Sequence, residues 1–195
     1  RTAGLILIPL HTHYLSTDEY GIWALVFAVS SLFSLIFGMG FSGALGRIYF
    51  DYLDDVEMRN KVVSTTILTF LGISLLILLS SYKLADLVVW MIFDSQQYQG
   101  LFALAIIGLI FTVLFEIEVS YAVIRKRAWT FLFMAFGKSI LFIVFNLVFL
   151  VYLKLGVYGI LYSTVLSLGI LSIIICVATF WRVGFGFSWA LSRQL

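Results

Sequence analysis

Six nearly uninterrupted apolar runs, at 1–15, 20–46, 62–82, 101–123, 130–153 and 157–181, constrain this chain more than any motif it contains. An α-helix rises about 1.5 Å per residue, so about 20 apolar residues cross a hydrocarbon core ~30 Å thick. Five of the runs reach that length. The first begins at Arg1, has fifteen residues, and reads as the remainder of a longer helix. No small-residue cleavage site follows it, so it does not read as a signal peptide.

Apolar residues make up 63% of the 195 and charged residues only 11%, against about 25% charged in soluble domains. So few charges could not give a soluble fold of this size a polar surface. Disorder and a nucleic-acid module are excluded by the same balance, the second also by a net charge of only +2. A single cysteine excludes a disulfide scaffold and leaves the redox compartment open. One proline and evenly spread runs point to helices rather than a barrel. The fold class is therefore an all-α, polytopic membrane protein.

Short connections make successive spans antiparallel neighbours. Ser16 and Glu19 have the spacing of a capping box at the start of the second helix. Residues 48–61 form the longest polar stretch, and 83–98 read as an amphipathic interfacial segment leading into the fourth helix. With the N-terminus inside, Arg1, Arg47, Arg59, Lys61, Arg125, Lys126, Arg127, Arg182 and Arg193 fall on the cytoplasmic side, against Lys83 and Lys154 opposite. The positive-inside rule selects that topology, with both ends cytoplasmic.

Only Glu116, Glu118 and Lys138 are ionisable residues well inside spans. A charge at the bilayer centre is costly and normally faces a bundle interior or a watery cavity. Lys138 lies eight residues beyond Thr130, about 12 Å into the membrane. Glu116, seven residues before Val123, reaches nearly the same depth on the antiparallel neighbour. One reading has Lys138 lining a cavity and attracting an anionic head group, with Glu116 setting its charge state or carrying a coupling cation. The other is a structural ion pair. Glu118 lies about 200° around the helix from Glu116, so the two cannot share a cavity; it is expected nearer the interface, snorkelling or meeting Arg125. Arg47 ends the second helix after four glycines and reads either as a snorkelling anchor or as a guanidinium fork for phosphate at a cavity mouth.

Small residues recur every fourth position at Ser30, Ser34, Gly38 and Ser42, at Gly108, Thr112, Glu116 and Ser120, and at Gly159, Ser163 and Ser167. This spacing lets helix backbones approach closely, and packing is its expected role. Pro9 predicts a kink in the first span near His11 and His13, which lack the companions of a metal site. No Gly-rich phosphate loop, serine elbow or Cys/His metal spacing occurs, so catalytic residues, metal and cofactor are all read as none, and the chain as no enzyme.

Three segments carry a family resemblance. The stretch from His13 to Tyr52, HYLSTDEYGIWALVFAVSSLFSLIFGMGFSGALGRIYFDY, resembles the first hairpin of Wzx-type polysaccharide-repeat flippases of the MOP superfamily, relatives of the multidrug and toxin extrusion exporters. IFDSQQYQG at 92–100 and LGVYGILYSTVLS at 155–167 are similar to later turns of that family. The resemblance implies a two-lobe transporter, with residues 1–195 as the six-helix N-terminal lobe and the C-terminal lobe outside this chain. It implies a flippase that moves an undecaprenyl-pyrophosphate-linked oligosaccharide repeat unit across the bacterial cytoplasmic (inner) membrane by alternating access, for cell-surface polysaccharide. Its partners would be that lipid-linked oligosaccharide, the bilayer and the polymerase machinery, and proton or sodium coupling is a family expectation. Arg47 matches a basic position near the end of the family's second helix, whereas Lys138 is singled out by depth. Two further readings stand beside it: a cation-coupled drug exporter of the same superfamily using Glu116, and a non-transporting membrane scaffold.

Overall fold

The computed structural model describes residues 9–93 and 99–195 and, within them, side chains outside 36–39 and 81–99. A helical turn at 9–14 (α1) precedes α2 (Thr17–Asp51), α3 (Val56–Phe93), α4 (Gln99–Ile124), α5 (Ala128–Asn146) with a π-helical continuation (Leu147–Tyr152), α6 (Gly156–Val183) and a short α7 (Trp189–Ser192). No strand occurs among the described residues. Among the described residues five helices are long and apolar enough to cross a membrane, as expected for an all-α polytopic protein. Most of the first apolar run, including the stretch before Pro9, lies outside the described residues.

The capping box forms as its spacing predicts. Glu19 N–H donates to Ser16 Oγ at 3.2 Å and Ser16 N–H to Glu19 Oε2 at 2.9 Å, satisfying two amides that a helix start would leave bare. The same Glu19 carboxylate lies against Gly156, where φ is +57° and a β-carbon would collide with it. Glycine is therefore favoured at the entry to α6, where any other residue would strain the backbone and displace the Glu19 carboxylate.

α4 is the central helix, packed on α2, α3, α5 and α6. At the end of the helix bundle that carries Arg47 and the 125–127 turn, Leu45, Ile48, Val62, Val63, Val113 and Ile117 form the largest core. At the opposite end Val26, Leu101, Phe102, Leu150 and Ile160 form a second. At Gly159 a small residue does bring helices close: α6 approaches the π segment so tightly there that a β-carbon would stand 3.0 Å from the Phe149 carbonyl oxygen.

Four expectations need correction. The polar stretch at 48–61 is mostly helix: α2 runs to Asp51 and α3 starts at Val56, because Ile48, Tyr49, Val62 and Val63 are buried against the lobe and hold the helices together past the apolar run. Residues 83–93 continue α3 instead of leading separately into α4, while 94–98 lie outside the described residues. Glu118 does not snorkel or meet Arg125. It is 2% exposed, and Arg125 Nη1 donates instead to the Tyr121 hydroxyl at 3.0 Å. Finally, 184–195 is no loose tail. Gly186 N–H donates to Ser64 Oγ, Ser188 N–H to Thr65 Oγ1, and Leu191 is buried among α2 and α3 side chains.

The α4–α5 turn closes with Lys126 N–H on the Val123 carbonyl and Arg127 N–H on the Ala122 carbonyl. This is the Schellman pattern, and it puts Lys126 at φ +54°, a position glycine usually fills. Holding an L-residue there costs roughly 1 kcal/mol.

Candidate membrane-embedded groove

Four helices leave an open groove of about 530 Å³ on the side of α4 facing away from α3. Its floor comes from Gly108 and Thr112 on α4, whose small side chains leave room above the helix. α2 contributes Trp23, Phe27, Ser30 and Ser34, α5 contributes Lys138 and Phe142, and α6 contributes Thr164 and Ser167. Lys138 is the single charged side chain in this lining.

The hydroxyls are prearranged. Ser31 donates to the Phe27 carbonyl at 2.7 Å, Thr112 to Gly108 at 2.8 Å, Thr164 to Ile160 at 2.9 Å and Ser167 to Thr164 at 3.2 Å. Each proton is thus committed to the helix backbone, leaving oxygen lone pairs as acceptors toward the groove. Trp23 and Phe27 stack at 5.7 Å between centroids and 26° between planes, a flat apolar patch at the Trp23 end.

Lys138 Nζ stands 5.2 Å from the centre of the Phe115 ring, within cation–π range. Glu116 lies one turn beyond Thr112 on α4, largely exposed, and accepts a long 3.4 Å hydrogen bond from Ser34 Oγ. The two charges are near enough to influence one another but form no ion pair within 4.0 Å. Arg47 is elsewhere. Its exposed guanidinium reaches the Gln194 carbonyl at 3.5 Å and does not line the groove. The structure therefore gathers Lys138 and Glu116 into one neighbourhood and leaves Arg47 out of it.

Several polar contributors were read in the sequence only as packing. Ser30, Ser34, Gly108, Thr112 and Ser167 all belong to the every-fourth-residue stripes, yet all line the groove. The signal that distinguishes them is a stripe running past an ionisable residue at the same depth. A buried pair was missed altogether: His11 Nε2 and Asn146 Oδ1 lie 3.1 Å apart, joining α1 to the start of the π segment. His11 also meets Trp23 edge-on at 5.3 Å, which steadies that end of the groove. Among the described residues no group of His, Cys, Asp and Glu could hold a metal ion.

Comparison with curated proteins and with solved structures gives no match. A family model described as polysaccharide biosynthesis protein matches residues 12–195, nearly the whole chain, and this multi-pass protein belongs to that family.

Proposed function

We propose that the protein moves a lipid-linked oligosaccharide, carried on undecaprenyl pyrophosphate, across the bacterial inner membrane during surface-polysaccharide synthesis, and that it does so as a transporter and not as an enzyme. The observation that carries this reading is Lys138: one cation in a groove whose other polar side chains are serine and threonine hydroxyls and the Trp23 indole. In a low-dielectric setting an ammonium attracts a phosphoryl oxygen strongly. The serine and threonine oxygens accept hydrogen bonds from sugar hydroxyls, and the Trp23–Phe27 stack offers a flat face to a sugar ring. The open side of the groove lets the lipid tail stay in the bilayer.

On this reading the chain is one wall of a two-lobe cavity, and a second lobe completes it in alternating access. Glu116, beside the groove, is the group at which a proton or sodium ion would bind, neutralising the carboxylate and leaving the Lys138 charge free to attract the anionic substrate. Arg47, at the basic end, is left with the task of holding residues 184–195 and serves as an anchor.

In the full-length protein, Lys138→Ala should abolish surface polysaccharide at unchanged membrane levels, and Lys138→Arg should restore part of it by retaining the charge. Normal polysaccharide in Lys138→Ala would remove the assignment. Loss of protein from the membrane in both variants would instead assign Lys138 to folding.

A further inference from the structure

A second basic site lies outside the groove, at the end of the lobe that the Lys and Arg distribution assigns to the cytoplasm. The α2–α3 turn and the α4–α5 turn enclose a hollow of about 480 Å³. Arg59, Arg125 and Lys126 line it, and no carboxylate does.

Two of these cations are held in place by aromatic rings. Arg59 lies over Tyr49 at 5.6 Å from the ring centre, and Arg125 lies over Tyr121 at 5.7 Å while donating to its hydroxyl at 3.0 Å. Tyr49 and Tyr121 themselves meet edge-on at 6.4 Å, so one aromatic pair positions both guanidinium groups. Lys126 occupies the left-handed position at φ +54°, where the backbone alone would favour glycine.

None of the acidic residues of the α2–α3 turn, Asp51, Asp54, Asp55 and Glu57, lines the hollow or forms an ion pair with the three. Glu57 pairs with Lys61 at 2.7 Å, and Asp55 Oδ1 accepts from the Met58 amide at 3.0 Å. Among the described residues no ion pair involves Arg59, Arg125 or Lys126. Two oriented guanidinium groups and an ammonium, none of them in an ion pair within 4.0 Å, form a set of donors suited to phosphate oxygens.

The rest of the wall identifies the source of that phosphate. Phe50, Leu53 and Val56, which also line the hollow, are 54%, 54% and 59% exposed. A soluble anion would have no use for this apolar edge. A lipid would, because its acyl chains lie on the membrane side while its phosphate reaches the basic residues.

We infer that Arg59, Arg125 and Lys126 form a binding site for the phosphate of an anionic membrane lipid, seated against Phe50, Leu53 and Val56. It depends on neither the groove nor the transport reading. The test is a lipid titration of the full-length protein, purified in detergent and followed by native mass spectrometry, with phosphatidylglycerol, with phosphatidylcholine, and with inorganic phosphate as competitor.

Wild-type protein should prefer phosphatidylglycerol. Lys126→Gly should weaken that binding roughly fivefold, and Arg59→Gln with Arg125→Gln together by more than about tenfold. Lys154→Gln, at the opposite end, should leave it unchanged. The glycine variant keeps its turn because the backbone position favours it, so a folding failure does not obscure the result. Equal binding of the two lipids, phosphatidylglycerol binding unaltered by the substitutions, or displacement of the lipid by an equal concentration of inorganic phosphate would each overturn the inference.

Discussion

Along α4, the face toward α3 and the face toward the groove are built from different residues. On the first, Ile110, Val113, Leu114 and Ile117 are buried in a continuous apolar core. On the second, Gly108 and Thr112 leave space that no side chain fills, and Glu116 follows them at the groove's margin. The two carboxylates of α4 sharpen the contrast. Glu116 is exposed beside Ser34 and Lys138, whereas Glu118 is buried with neither oxygen hydrogen-bonded. One side of the helix is closed by packing, and the other is left open.

Breaking the closed side should have the largest effect on stability. Ile117→Ala removes a side chain with no exposed surface and should cost about 2 kcal/mol. The loss is of packing contacts, since lipid is as apolar as the core. On the open side Leu35→Ala, at a groove residue 56% exposed, should cost no more than about 0.5 kcal/mol. Thermal unfolding in detergent measures both, and equal losses would erase the distinction.

Next in size is a change of opposite sign. Glu118→Met removes two buried oxygens that have no partner in this structure, and should raise the unfolding midpoint by the equivalent of about 1 kcal/mol. A lower midpoint would contradict the unpartnered state. The smallest effect belongs to Ser34→Ala. Its 3.4 Å bond to an exposed carboxylate should be worth about 0.5 kcal/mol or less. A fall above about 1 kcal/mol would place Glu116 in a tighter network than the groove margin suggests.

Some of the site was legible before any fold was known. The depth of Lys138 marked it as either a cavity residue or half of an ion pair with Glu116, and the 200° between Glu116 and Glu118 separated them onto different faces. Which face each carboxylate met was not legible. Glu118 is buried only because neighbouring helices set the rotation of α4, packing Val113, Leu114 and Ile117 into the core. The contact between His11 and Asn146 joins residues 135 apart, beyond the reach of any spacing rule. The folding back of 184–195 depends on hydroxyls of α3 that read as ordinary membrane-helix residues.

By itself the sequence determined the membrane, the helices and the capping of α2, because chain length against bilayer thickness and the hydrogen-bond demands of a helix start are local matters. It also placed the scarce charges by depth. Only the tertiary structure decided which sides of those helices close on one another and which stay open. In water an apolar stripe marks the buried side of a helix, but in lipid both sides are apolar, so the direction each helix faces is set by fit between neighbours.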